Sequence, residues 1–371
     1  MTPRQYVLAC MMLLLAWATP VITAHAAAPD QTNRLWRLAA QEQERLEQRG
    51  VVLYDASLSS YLQTVAERLW EQVSSDLGAP IVKVVMDPRM QAYAFPNGYC
   101  FLSTGILNRI ENEDQLAMIL AHEMVHYARQ HTAALYDHFQ MASHGTGLPY
   151  ADQSHAAGKV AMKQKIDAAE HQADDEGLAI LKAAGYCETE VLSLMSNLLN
   201  YLLDQGASEA VGRLESRIKT MKTRIGQTED SVSCKSPTHG NPGIFLNRIA
   251  PALMANAQAA ITCGDWNQAD QSISKFLALK PDDARAYYIQ GEILRRQNDG
   301  DRKGQCLDAY EEALKFDPTF PLVHRALGEI HFKAGRYKQE LRFESGQGRL
   351  QVRFKMGCIF IVTLPRQDRK I

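Results

Sequence analysis

Along most of this 371-residue chain, apolar residues recur every three or four positions, the period of a helix that buries one face. Such stripes predict helices over residues 33–50 and 57–77, the second led by Asp55 and Ser57 as capping residues. The same pattern returns over 160–184, 188–203 and 207–225. Between the two groups the chain changes character. Residues 81–86, 91–95 and 99–103 are short apolar runs, which predict strands. An Ala- and Leu-rich run at 116–126 predicts a further helix. Residues 143–158 and 228–243 are rich in Gly, Ser and other polar residues and read as loops. The fold class expected is α+β, mainly α, with a small sheet beside one apolar helix.

Beyond Pro251 the pattern repeats. Gly264, Trp266, Ala269 and Pro281 are followed by Tyr287, Gly291, Cys306, Tyr310, Ala313 and Pro318, and then by Gly328, Gly335 and Tyr337. The step from Pro281 to Pro318 equals that from Gly291 to Gly328. These positions resemble tetratricopeptide repeats, units of about 34 residues in which small residues let paired helices pack and proline closes each unit. Here a short insertion at 298–303 lengthens the unit. The third repeat decays after Glu340, leaving a tail with an apolar stretch at 356–364 and a basic end.

At the N-terminus, Arg4, an apolar run at 11–17 and Ala24-His25-Ala26 form a secretory signal with a small-x-small cleavage site. The apolar run is far shorter than the ~20 residues of a membrane span, and Pro20 follows it. No later segment is long enough to cross a bilayer either. Export to the periplasm is the expectation. With 40 basic and 42 acidic residues, the chain offers neither a nucleic-acid surface nor a polybasic membrane patch. Seven cysteines stand without close pairs, so their connectivity is not readable.

The chemistry concentrates at the end of the 116–126 run, in His122-Glu123-Met-Val-His126. Histidines four apart lie on one helix face and can point two imidazoles at one metal ion, while Glu123 between them can reach a water that the metal holds. Zinc and a carboxylate base are the apparatus of peptide hydrolysis. Arg129 and Thr132 stand where a metzincin would place Gly and His, which excludes that class. On the second helix Glu170 and Asp174 share a face, a pair suited to a third ligand and a hydrogen-bond partner for a ligand histidine. His131 and His171 are turned away from the ligand faces by the helical period, so a structural or second-shell role for His131 and a solvated His171 are expected.

The segments Glu113-Asp-Gln-Leu-Ala…His122-Glu-Met-Val-His126 and Glu170-x-x-Ala-Asp-x-x-Gly177, preceded by Ala94-Phe-Pro-Asn-Gly, resemble the peptidase family of HtpX and the CAAX prenyl proteases over roughly residues 35–250. The resemblance implies a gluzincin-type zinc metalloprotease domain. Its ligands would be His122, His126 and Glu170, its general base Glu123, and Asp174 would support a histidine. Ile166-Asp167 stands where many relatives have Ser-Arg, so the arginine's role is open here. In the 228–243 loop, His239 would be a regulatory zinc ligand in the resting enzyme, with Cys234 a competing ligand and an ordinary loop histidine the plain alternative. His239 and Arg248 are also the candidates for stabilising an oxyanion.

The expected organisation is a signal peptide (1–26), a zinc metallopeptidase domain (27–250), a tetratricopeptide-repeat module (251–344) and a divergent tail (345–371). The resemblance implies protein substrates, namely misassembled outer-membrane proteins, and their assembly machinery as partner through the repeats. The rival reading is a non-proteolytic repeat chaperone on a zincin scaffold.

Overall fold

The computed structural model describes residues 29–134, 152–226, 242–297, 303–333, 350–353 and 359–362. The signal sequence, His239 and Cys234 lie outside them, as do Gly335 and Tyr337 of the third repeat. The chain divides after Cys263 into two compact units.

The first unit begins with α1 (Pro29–Gln48), β1 (Val52–Leu53) and α2 (Ala56–Trp70). Asp55 caps α2, its carboxylate accepting from Leu58 N–H at 2.8 Å. The helix ends at Trp70, short of residue 77, where Ser74-Ser75-Asp76 offer local hydrogen bonds that compete with helix; Ser75 Oγ takes Leu77 N–H at 3.1 Å. Strands β2 (Ile81–Val85), β3 (Ala92–Ala94) and β4 (Tyr99–Ser103) complete a sheet of order β1-β2-β4-β3. The β2–β4 pair is parallel and the other two are antiparallel, which leaves β3 on an edge.

Ser103 ends β4 and caps the short α3 (Thr104–Arg109), an element the strand pattern conceals. Next comes α4 (Glu113–Ala128), capped by Asn112. Leu116, Ala117, Leu120, Ala121 and Met124 of α4 are fully buried, since the helix packs against α2, the sheet and the helices that follow. Each large aliphatic side chain so buried contributes about 1.5–3 kcal/mol. The helix start is fixed by buried acids: Glu113 accepts from Tyr61 Oη at 2.8 Å and Tyr186 Oη at 3.2 Å, and Asp114 from Cys187 N–H at 2.8 Å.

Then follow α5 (Asp152–Ala183), α6 (Thr189–Asp204), α7 (Ser208–Gly226) and α8 (Pro242–Cys263). Helix α5 starts inside the expected 143–158 loop: from Asp152 on the sequence is helix-compatible, and its two glycines, Gly158 and Gly177, in 32 residues cost only about 1 kcal/mol each. The expected boundary at 250/251 falls within α8, which carries Pro251 in its interior.

The second unit holds α9 (Trp266–Leu279), α10 (Ala284–Arg296), α11 (Lys303–Phe316) and α12 (Pro321–Lys333), each packed on the next. Asp265 and Asp283 cap α9 and α10. A Cβ on Gly291 would lie 2.5 Å from the Tyr310 ring, so only glycine allows α10 and α11 this approach. The tail contributes an antiparallel pair, β5 (Leu350–Arg353) and β6 (Ile359–Val362). Among the described residues no helix is long and apolar enough to cross a membrane.

Candidate metal centre

Helices α4 and α5 build the site because they pack closely. Gly177 of α5 faces the backbone of His122, where an added Cβ would sit 3.2 Å from its nitrogen and 3.3 Å from its Cα. That approach brings Glu170 against the histidines of α4. His122 Nε2 and His126 Nε2 lie 3.1 Å apart. The Glu170 carboxylate reaches both, with Oε2 3.6 Å from His122 Nε2 and Oε1 3.6 Å from His126 Nε2. Among the described residues this is the one such group of potential metal ligands.

The spacing fits an ion. Tetrahedral ligands on bonds of about 2.0–2.1 Å stand about 3.3–3.4 Å from one another, close to the three separations seen. The far nitrogens are occupied by protein: His122 Nδ1 is 3.1 Å from Asp174 Oδ1, and His126 Nδ1 is 3.0 Å from His131 Nδ1. Both Nε2 atoms are therefore the ones presented to the shared space.

Arg217 of α7 completes the cluster. Its Nε and Nη2 donate to the two oxygens of Asp174 at 2.6 and 2.7 Å, and its Nη1 to Glu170 Oε2 at 2.7 Å. The sequence reading missed this residue, although a signal exists. Leu214, Ile218 and Met221 form the buried stripe of α7, and Arg217 is a cation in that stripe, which demands an acid opposite. No arginine at 166–167 is needed to hold the two carboxylates. Arg248, by contrast, lies over the Tyr61 ring, 5.7 Å from its centroid.

Burial and this ring of charges set the protonation states without a metal. Burial opposes a charged His122, but the hydrogen bonds it donates to Asp174 and Glu170 outweigh it and lift its pKa to about 10. Burial, with the charge of His122, takes His126 down to about 3. Burial also lowers His131. Asp174 is held at about 2, against burial, by Arg217 and His122. Glu170 is held well below the usual carboxylate range by His122 and Arg217, again against burial. Glu123 has no such partner in full: burial pushes it up to about 7, opposed by His122 and by a hydrogen bond from Ala94 N–H. That bond ties the carboxyl to the edge strand β3.

The comparisons with known proteins agree with this geometry. Residues 56–228 match Peptidase family M48. The chain is similar to the beta-barrel assembly-enhancing protease of Yersinia pestis, with 24% identity over 274 residues, 63% of this chain and 54% of that protein. The protein of that name from Escherichia coli K12 is 22% identical over 334 residues, 77% of this chain and 67% of that one. A shorter likeness, 40% over 53 residues, is to the mitochondrial metalloendopeptidase OMA1 of Bos taurus, covering 14% of this chain and 10% of that protein. The chain thus spans about half the length of the Yersinia relative.

Proposed function

This chain contains a Peptidase family M48 domain, and from that premise we propose that it is a periplasmic zinc endopeptidase that cleaves misfolded or misassembled envelope proteins. The observation that carries this reading is the donor set. Two imidazoles and one carboxylate converge at 3.1–3.6 Å, and three protein ligands of this kind suit a catalytic zinc that keeps a position open. When bound, zinc supplies a Lewis acid and brings the pKa of water to about 7.

Glu123 takes the proton of the attacking water and returns it to the departing amine. A carboxyl that burial raises above its ordinary value accepts a proton more readily than a free one and can release it again. Asp174 and Arg217 hold the ligands still while this happens. The substrate would lie along β3. Phe95 N–H bonds Tyr99 C=O and Gln91 C=O takes Ser103 N–H, so the backbone groups of the alternate residues Ala92 and Ala94 face outward, the Ala94 N–H toward Glu123. An added strand there is held by main-chain bonds that ignore side-chain identity, which suits unfolded substrates.

Export is supported by the N-terminal signal pattern and by Cys187, which is disulfide-bonded, a bond that persists in oxidising compartments. The sequential packing of α9–α12 and the Gly291–Tyr310 approach support tetratricopeptide-type repeats that recruit a protein partner. The name shared by the Yersinia and Escherichia relatives points to beta-barrel assembly as the setting. His239 would act as a regulatory ligand that quiets the resting enzyme; His239→Ala then raises basal proteolysis at unchanged zinc content.

The test is casein hydrolysis by the purified protein with and without a chelator, followed by zinc restoration. Chelator-sensitive cleavage that zinc restores supports the reading. Zinc-loaded protein that never cleaves favours a repeat-based binding or chaperone role on a zincin scaffold.

A further inference from the structure

Behind His126 the structure holds a line of side chains that the hydrolytic reading does not use. Helix α4 stops at Ala128 and Gln130 takes φ +52°, a left-handed conformation that costs a non-glycine residue about 1–2 kcal/mol. The turn is held by Tyr127 C=O, which accepts Gln130 N–H at 3.1 Å and Gln130 Nε2 at 2.7 Å. It swings the buried His131 back over the helix end. There its Nδ1 meets His126 Nδ1 at 3.0 Å, with the two ring planes at 79°. On its other side His131 Nε2 is 3.2 Å from Gln172 Oε1. Gln172 Nε2 donates to Glu176 Oε1 at 2.7 Å, and Arg129 Nε donates to Glu176 Oε2 at 2.8 Å.

With His131 neutral, this order admits one arrangement of protons. A carboxylate only accepts, so Gln172 turns its amide nitrogen to Glu176 and its oxygen to His131. An amide oxygen also only accepts, so His131 carries its proton on Nε2 and leaves Nδ1 as an acceptor. His126 must then carry its own proton on Nδ1, which leaves the lone pair on Nε2 facing His122 and Glu170. We propose that His131 is a positioning residue: it accepts the Nδ1 proton of His126 and so fixes the tautomer and aim of that metal ligand, with Gln172 and Glu176 fixing His131 in turn. The two ligand histidines are thereby backed differently, His122 by the carboxylate of Asp174 and His126 by a neutral imidazole. The proposal rests on the reading of His122, His126 and Glu170 as a zinc site.

The experiment is a chelator competition that measures the zinc dissociation constant of the metal-free full chain, with zinc alone as the probe. His131→Phe keeps the ring and removes the acceptor, and should weaken zinc binding 10- to 100-fold, the usual effect of losing such a partner. His131→Gln restores an acceptor and should recover most of the loss. Gln172→Leu, on the exposed side of α5, should weaken binding by a smaller, few-fold factor. Wild-type affinity in His131→Phe overturns the proposal, and so does His131→Gln binding no better than His131→Phe, since the ring would then only fill space. Should His131→Phe fail to fold, unchanged affinity in Gln172→Leu overturns it. Wild-type protein that takes up no zinc overturns the functional reading itself, a separate outcome.

Discussion

The guanidinium of Arg217 grips Asp174 through two parallel hydrogen bonds of 2.6 and 2.7 Å. A fork of this kind fixes both position and plane of a carboxylate, and here the carboxylate in turn holds His122 at 3.1 Å. With its third bond, to Glu170, Arg217 ties α7 to the metal-facing side of α5. Removing it leaves the carboxylates of Asp174 and Glu170 with the protonated His122 as their cation in place of two. Arg217→Gln should destabilise the metal-free protein by about 3 kcal/mol. Zinc replaces part of the lost positive charge, so thermal melts should show a smaller deficit when metal is present. Equal losses with and without zinc would mean that Arg217 serves packing alone.

Gly177 sets the separation of α4 and α5. Gly177→Ala places a methyl 3.2–3.3 Å from the His122 backbone, which neither helix can yield cheaply, and should cost about 1–3 kcal/mol. The same shift moves Glu170 from the histidines, so zinc affinity should fall together with stability in urea titrations. Loss of stability at unchanged affinity would show that the ligand spacing is set elsewhere.

In the second unit Glu292 is the residue to titrate. Burial would raise its pKa, but Arg295 and Tyr310 hold it below the usual value, through bonds of 2.7 Å from Arg295 Nη2 and 2.6 Å from Tyr310 Oη. A carboxylate depressed in the folded state binds fewer protons there than in the unfolded chain. Its stabilisation is therefore complete above the unfolded value and fades as the pH falls through the folded one. Glu292→Gln should cost about 1–2 kcal/mol at neutral pH and flatten the decline in stability below about pH 4.5. An acid limb identical in the two proteins would contradict this.

The donor set was legible in the sequence because its geometry is local. His122 and His126, like Glu170 and Asp174, are four apart, and four residues of helix place two side chains on one face whatever surrounds them. Asp55 as a cap and the runs that became β2 and β4 were legible for the same reason. What escaped depends on pairing across the chain or on where a helix stops. Arg217 meets its acids only through the packing of α7 on α5. His131 is turned off the ligand face by a helical projection, but the helix ends at Ala128, and the backbone of Gln130 returns it to His126.

The central claim is most directly tested by measuring zinc content and casein cleavage together in Glu123→Gln. Glutamine keeps the shape of the side chain and cannot take a proton. The account predicts zinc bound at the wild-type ratio of one per chain and cleavage lost by several orders of magnitude. Wild-type cleavage by this variant, or cleavage that tracks a loss of zinc, would contradict the assignment of Glu123 as the base.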